Sequence, residues 1–310
     1  MLSRRNVRIK IMQLLFSQNR DNSLTDEKVV TLYHQSLDKS FELYLLNLFL
    51  LIKVAEYSVV DKKKRHGKYL PKPEDLLFSA KLFENDCLQS LLKNEALEKK
   101  FDDAGFEDIY DNDITAKVYR EFSKDEQYED YVYNEASTHE DDIKILLSLF
   151  KTIIKSDLIL EIFDSYYPNW EDDKSLIVGV MKKSIKSLPV EGEFYEEHRP
   201  NDDTVKDFGL RLLNSVIAKE DDYKGKIESI LENWDVDRVA VIDIILLKMA
   251  SAEFLLFPSI PTKVTINEYL EISKLYSTDK SKDFINGVLD KLLQVLDEEG
   301  EVDKKGRGLE

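Results

Sequence analysis

The stretch that decides the fold is DVDRVAVIDIILLKMASAEFLLFPSIPTKVTINEYLEISKLYSTDKSKDFINGVLDKLLQVL, residues 235–296. Near its end, apolar side chains recur at i, i+4, i+8, i+11 and i+12: Phe284, Val288, Leu292, Val295 and Leu296. This spacing predicts a helix with one buried stripe. We therefore expect the stretch to fold as helices that pack against one another.

Prolines and a glycine divide this stretch. Pro258 and Pro261 separate predicted helices. In the helix after them, the predicted inner face comprises Ile266, Leu270, Ser273 and Tyr276, with Asn267 as a structural polar residue. Gly287 interrupts the last helix, where glycine costs about 1 kcal/mol relative to alanine. Close approach of another backbone to Gly287 would offset that cost.

The helical pattern continues outside this stretch. Only ten glycines and seven prolines punctuate 310 residues, which favours long helices, and the length suits two domains. Strand alternation with tight hairpin turns is absent from the sequence, so the predicted fold class is all-α. The predicted helices are roughly 26–60, 74–101, 113–133, 140–165, 173–187, 203–219, 223–233, 237–255, 262–276 and 281–297.

The opening stretch, MLSRRNVRIKIMQLLFSQNR, carries five basic residues and no acidic one on a chain of net charge -17. Its apolar residues Val7, Ile11, Leu14 and Leu15 predict a helix that Ser3 can cap. At the helix start lie three arginines, which oppose the helix macrodipole: Arg4, Arg5 and Arg8. Such a patch is a possible footprint for a polyanion. A solvated helix end and a mitochondrial presequence are the alternatives, whereas the interrupted apolar run argues against a secretory signal.

The middle of the chain is acidic. Residues 21–200 carry a net charge of -14. Within them, DKKKRHGKYLPKP (61–73) is predicted to be a basic loop and EFSKDEQYEDYVYNEASTHEDD (121–142) an acidic one. Both charge runs are expected to be solvated surface.

Two segments of the chain resemble each other at an offset of 64 residues. YYPNWEDDKSLIVGVMKKSI (166–185) aligns without a gap with ILENWDVDRVAVIDIILLKM (230–249), and Trp170 matches Trp234. This similarity indicates a duplicated helical hairpin, although unrelated amphipathic helix pairs also resemble each other.

Signatures of catalysis, cofactors and metals are missing from the sequence. Neither glycine-rich nucleotide loop is present, and the four histidines are scattered. The lone Cys87 excludes an internal disulfide and suits the cytoplasm. The apolar run Leu43–Ile52 is too short to span a bilayer. We expect a cytoplasmic protein, not an enzyme, with no cofactor, no metal and no membrane partner.

Residues 235–296 closely resemble the C-terminal part of the NusB family of bacterial transcription antitermination factors. The matching pieces, in order, are DR at 237–238, EFL at 253–255, IP at 260–261, INE at 266–268 and FINGVLD at 284–290. The opening helix resembles the family's arginine-rich first helix. The resemblance implies a NusB-like helical bundle made of 1–20 and 201–297 and an additional all-helical acidic insertion at 21–200. The charged residues at the end of the chain, 298–310, are expected to form a disordered tail.

The resemblance also implies partners and a site. NusB-like proteins bind boxA-type single-stranded RNA together with the small-subunit ribosomal protein NusE and modify RNA polymerase elongation complexes, notably on rRNA transcripts. By this resemblance Arg4, Arg5 and Arg8 would bind phosphates. In TDKSKDF (278–284), Lys280 and Lys282 would also reach phosphates, and Phe284 would either stack on a base or lie on the buried stripe.

The sequence is also compatible with two other functions. The NusB fold also occurs as the RNA-binding part of some rRNA cytosine methyltransferases, so the chain could be an RNA-binding subunit in rRNA modification or ribosome biogenesis. Alternatively, the acidic insertion could be a protein-interaction scaffold.

Overall fold

The computed structural model describes residues 2–134, 136–231 and 239–304, and within these ranges the chain is helical with no strand. The all-α prediction is confirmed for them. The chain forms two compact units. Unit 1 is Asp38–Arg199, and unit 2 is Leu2–Leu37 together with Pro200–Glu310.

The α-helices of the described residues are, in chain order, α1 (Arg4–Arg20), α2 (Asp26–His66), α3 (Pro73–Leu77), α4 (Lys81–Glu84), α5 (Asp86–Leu92), α6 (Glu95–Ala104), α7 (Phe106–Ile109), α8 (Asn112–Phe122), α9 (Glu126–Tyr133), α10 (His139–Ile153), α11 (Asp157–Tyr166), α12 (Trp170–Lys186), α13 (Arg211–Ala218), α14 (Glu220–Ile230), α15 (Val241–Leu256), α16 (Thr262–Tyr276) and α17 (Ser281–Glu298). A 3-10 helix covers Phe194–His198, and a π-helix covers Asp203–Leu210 immediately before α13.

The opening helix forms as its sequence predicts. The Ser3 hydroxyl accepts a hydrogen bond from the Asn6 backbone N–H, and the Asn6 side chain accepts one from the Ser3 backbone N–H. Each bond satisfies a donor that the helix itself leaves free. The predicted apolar stripe is confirmed at Val7, Ile11 and Leu15, which are buried.

Several helices predicted as continuous are broken in unit 1. The stretch 74–101 holds α3, α4, α5 and part of α6, because Asn85 and Asn94 accept hydrogen bonds from backbone N–H groups three residues later and so start new helices. Asp125 also caps α9, by accepting a hydrogen bond from the Gln127 backbone N–H two residues later, and separates it from α8. Short side chains that bond to the backbone compete with helix continuation, which the apolar spacing alone does not reveal.

The two charge runs differ from their predicted loops. α2 extends to His66, so the first half of 61–73 is helical. The acidic run 121–142 includes α9, whose Tyr128 and Tyr131 are buried. These tyrosines form a buried face of α9, which the many charged residues of the run made difficult to predict from the sequence.

The run Leu43–Ile52 lies in the middle of α2. This helix is long and apolar enough to cross a membrane, with a best 18-residue window of mean hydropathy 1.7. However, 72% of that window is buried inside the protein. α2 therefore supplies the central apolar surface of the unit 1 core.

Cys87 is buried in unit 1, on α5. Its Sγ lies 3.4 Å from His139 Nδ1. Burial, and to a lesser extent the charges of Asp142 and Asp86, raise the pKa of the Cys87 thiol to about 11. The thiol is therefore protonated at neutral pH.

Glycine permits a close approach in unit 2 at Gly209. A Cβ on Gly287 would meet no atom of the described residues within 4 Å, so among them no close approach offsets the cost of Gly287. A Cβ on Gly209, in the π-helix, would lie 1.9 Å from the Tyr33 Oη and 2.6 Å from a Val7 methyl carbon. The Tyr33 hydroxyl donates to the Val205 carbonyl at 2.9 Å. Gly209 therefore lets the π-helix pack closely on α1 and α2.

The internal similarity is only partly described by the structure. Trp170 begins α12 and is buried. Its counterpart Trp234 lies outside the described residues, as do Asp237 and Arg238. The duplicated hairpin stays a prediction.

The chain after α17 contacts unit 2 as far as Lys304. Lys226 forms ion pairs with Glu299 at 2.8 Å and Glu301 at 3.0 Å. Lys304 Nζ donates to the carbonyls of Glu253 and Phe257. The start of the tail predicted to be disordered is thus held against the unit, and residues 305–310 lie outside the described residues.

Candidate nucleic-acid interface

Arg4 is the most available of the three opening arginines. It is exposed, and its guanidinium carbon lies 5.5 Å from the centroid of the Phe208 ring. It has no ion pair among the described residues. A cation held over an aromatic ring keeps its outer N–H groups free for an anion.

Arg5 is half-exposed and already paired. Its Nε and Nη2 donate to the two carboxylate oxygens of Glu268 at 2.8 and 2.7 Å. This bond raises the pKa of Arg5 and lowers the pKa of Glu268. A phosphate at Arg5 would therefore compete with a carboxylate that is already in place.

Arg8 lies inside the protein instead of facing solvent. Its side chain is 3% exposed, and its Nη2 and Nε donate to Glu253 at 2.6 and 2.8 Å. Its guanidinium also lies 4.9 Å from the Phe208 ring centroid. The sequence leads us to expect Arg8 to bind phosphate beside Arg4 and Arg5, but the structure buries its guanidinium in a pair with Glu253. Arg8 lies one turn after Arg4 but inserts where α1 meets α15 and α16.

Glu253 is the centre of a buried polar cluster. Besides Arg8 it accepts hydrogen bonds from Thr265 Oγ1 at 2.8 Å and the Tyr269 hydroxyl at 3.1 Å. Burial opposes the charge on Arg8, but the hydrogen bonds and charge of Glu253 outweigh it and raise the pKa of Arg8. Burial, followed by the charge of Glu253, raises the pKa of Tyr269. The cluster ties three helices together and thereby fixes the start of α1 that carries Arg4 and Arg5.

A second polar cluster holds the other candidate stretch. The buried Asp243, in the first turn of α15, accepts hydrogen bonds from the hydroxyls of Ser277 at 2.6 Å and Ser281 at 2.7 Å. Ser281 in turn accepts a hydrogen bond from the Thr278 backbone N–H at 3.2 Å. These bonds fix the turn between α16 and α17 on which the lysines sit.

Lys280 and Lys282 are exposed, and neither has an ion pair within the described ranges. Phe284 is half-buried, whereas the buried stripe of α17 consists of Ile285, Val288, Leu289, Leu292 and Leu296. The prediction that Phe284 and Val295 lie on the buried stripe is therefore wrong. The buried face is rotated slightly about the helix axis, so their neighbours are buried instead.

Phe284 lines a surface groove of about 500 Å³. Leu231 and Val288 supply further apolar walls, and Lys280 and Lys291 lie at the same groove. An aromatic side chain beside cationic groups is an arrangement that can hold an unstacked base and its phosphate.

Glu271, an exposed residue of α16, links the two candidate stretches. Its pKa is lowered chiefly by a hydrogen bond from Lys274, and also by the charges of Arg5 and Lys282. Both stretches therefore lie within electrostatic range of one point on α16. Glu268 and Glu271 interrupt this surface, so it is a mixed surface and not a uniformly basic one.

Sequence reasoning missed three residues of this region. Lys291 follows Lys280, Phe284 and Gly287 at helical spacing, which is a signal that was available. Glu253 and Asp243 are carboxylates within a largely apolar helix, and such residues are usually paired when buried. Their partners lie far along the chain and have no local signature.

The fold and this surface define a helical protein with a candidate nucleic-acid interface. The sequence profile of the NusB family matches residues 176–294. The matched region begins inside α12 and includes the turn at 278–284, whereas α1 lies outside it.

Three relatives share the name transcription antitermination protein NusB. The protein of Chloroherpeton thalassium is 44% identical over 105 residues, which cover 34% of this chain and 50% of the relative. That of Salinibacter ruber is 40% identical over 108 residues, 35% of this chain and 68% of the relative. That of Clostridium kluyveri is 32% identical over 162 residues, 52% of this chain and 96% of the relative. No solved structure matches the chain.

The chain belongs to the NusB family. Nearly the whole length of the Clostridium protein aligns with half of this chain, so the resemblance predicted from residues 235–296 is confirmed. The chain spans only half the length of the Chloroherpeton relative.

Proposed function

We propose that this protein is a cytoplasmic transcription antitermination factor that binds boxA-like single-stranded RNA together with NusE and modifies RNA polymerase elongation complexes, notably on rRNA transcripts. Membership of the NusB family, whose relatives carry the name of antitermination proteins, supports the general role. It acts by binding and carries out no reaction.

The observation that supports RNA binding best is the shared surface formed by the start of α1 and the start of α17. Arg4 supplies an exposed guanidinium, and Lys280 and Lys282 supply exposed ammonium groups. Phosphates bind such groups with release of counterions, so affinity falls as salt rises. Phe284 in its groove supplies the aromatic face on which a splayed base stacks.

Arg8 has a positioning role in this proposal. Its bidentate pair with Glu253 holds the first turn of α1, so Arg4 and Arg5 are presented in a fixed direction. The Asp243 cluster does the same for the turn that carries Lys280. A preorganised surface loses less side-chain entropy on binding.

The mixed charge of the surface favours a short, specific RNA over unspecific polyanion binding. Glu268 and Glu271 repel phosphates that approach at the wrong register. The strongly acidic remainder of the chain confines RNA to this region.

The test is fluorescence anisotropy with a labelled boxA-like RNA and a scrambled RNA of the same composition, each with and without saturating NusE. We expect preference for the boxA-like RNA, and tighter binding when NusE is present. By linkage, RNA must tighten the protein pair by the same factor. Equal affinity for both RNAs would refute sequence-specific recognition, and an affinity unaffected by NusE would refute the coupled complex.

A further inference from the structure

A second surface, in unit 1, has no part in the proposed RNA site. α10 and α12 border an open groove of about 830 Å³. Its floor includes three half-buried apolar side chains at the outer edge of the unit 1 core: Leu147, Ile154 and Val178. Exposed apolar surface in a groove is a common binding site for an amphipathic helix of a partner.

Lysines follow both edges of this floor. On α10, Lys151 lies four residues after Leu147 and three before Ile154, so these side chains share one face. On α12, Lys182 and Lys186 follow Val178 at successive turns. All three lysines are exposed and have no ion pair among the described residues. A fourth, Lys144, is 71% exposed and only 3.9 Å from Asp141.

The charge of this groove is opposite to that of its surroundings. Residues 21–200 carry a net charge of -14, yet lysines predominate at the rim. Of the two rim carboxylates, Asp141 is occupied because it accepts hydrogen bonds from the Thr138 backbone N–H and hydroxyl. The other carboxylate is Asp130.

We propose that the α10–α12 groove docks an acidic amphipathic helix of a partner protein. The apolar stripe of that helix would cover Leu147, Ile154 and Val178, and its flanking carboxylates would pair with Lys151, Lys182 and Lys186. Single-stranded RNA is the less suitable occupant, because the aromatic side chains at this groove, Tyr131 and Phe150, are buried and offer no stacking face.

This inference is independent of RNA binding. The α10 edge of the groove lies outside the region that matches the NusB family profile, and the α12 edge lies within its beginning. The groove therefore combines one edge inside the matched region with one edge outside it.

The test uses the full chain and a synthetic probe. The probe is a fluorescein-labelled peptide of about 18 residues, long enough to form a helix, with leucines at i, i+3, i+4 and i+7 and glutamates beside them. A control peptide has lysine at each glutamate position. We expect anisotropy to show that the acidic peptide binds at least about tenfold more tightly than the basic one.

Three variants, two at the groove and one control elsewhere, locate the site. Binding of the acidic peptide should weaken at least about tenfold in the triple variant Lys151→Glu/Lys182→Glu/Lys186→Glu. The control variant is Lys63→Glu/Lys99→Glu/Lys117→Glu, which makes the same change in net charge at exposed positions elsewhere in unit 1. This control should leave the affinity within about twofold of the wild type. Val178→Gln should also weaken binding of the acidic peptide, because it removes an apolar side chain from the floor of the groove. Circular dichroism checks that each variant is folded.

Three outcomes would overturn the proposal. They are equal binding of the two peptides, equal weakening by the two triple variants, and displacement of the acidic peptide by a labelled single-stranded RNA that itself requires Lys151, Lys182 and Lys186. The last outcome would make the groove an RNA surface.

Discussion

The two basic stretches of the candidate interface differ in what holds them. At the start of α1, two of three arginines bind carboxylates, Arg5 at Glu268 and Arg8 at Glu253. At the start of α17 the lysines are exposed, and a buried carboxylate, Asp243, holds only the backbone turn beneath them. A basic residue in the sequence is thus not equivalent to a free positive charge on the surface.

The largest effect should come from removing Arg8. Arg8→Gln leaves Glu253 buried without its cation, so we expect the free energy of unfolding to fall by about 3–5 kcal/mol. Arg4→Gln is the matched control at an exposed position and should change it by less than about 0.5 kcal/mol. Urea denaturation measures both. Similar small effects for the two variants would mean that Arg8 is as dispensable as Arg4.

Two glycines, Gly209 in the π-helix packed on α1 and Gly287 on α17, should respond differently to replacement by alanine. Gly209→Ala would press a methyl group against Tyr33 and Val7, and we expect a loss of about 1–3 kcal/mol in stability. Gly287→Ala lies in open space on α17 and should be neutral or stabilising by up to about 1 kcal/mol. Thermal denaturation compares them, and a destabilised Gly287→Ala would indicate a close neighbour at the α17 groove.

A variant of Phe284 can distinguish base stacking from phosphate contacts at the start of α17. Phe284→Leu keeps an apolar side chain in the groove but removes the aromatic face, so boxA-like RNA binding should weaken by about 1–3 kcal/mol. The slope of log K against log salt should not change, because no cation is lost. Unchanged affinity would assign Phe284 to packing alone.

The smallest expected effects concern single phosphate contacts. Arg4→Gln and Lys282→Gln should each make the salt slope less steep by about 0.7 for a single-stranded RNA. Arg5→Gln should have a smaller effect, because its guanidinium is already shared with Glu268. Salt titrations of the three variants rank them, and a larger effect for Arg5 than for Arg4 would mean that pairing with Glu268 does not withdraw the Arg5 cation from RNA.

The sequence predicts a helix well where its bounds depend on residues close together in the chain. The bounds of α1, α16 and α17 follow from apolar spacing and from caps such as Ser3, which act within a few residues. The breaks at Asn85 and Asn94 were missed, because an asparagine can either continue a helix or cap a new one.

The candidate site was predictable only in part. Arg4 and Arg8 look alike in the sequence, being one turn apart, but Arg8 pairs with a residue 245 positions away. No local pattern reports such a partner. Phe284 was placed on the buried stripe by spacing alone, whereas the structure centres that stripe on its neighbour Ile285.

Cys87 makes opening of unit 1 observable. Its thiol is inaccessible and protonated in the folded state, whereas alkylating reagents react with exposed thiolate. Since the sequence has no other cysteine, the rate of alkylation under native conditions reports how often the surroundings of α5 open. The wild-type chain therefore reports the opening of unit 1 around α5 without an engineered label.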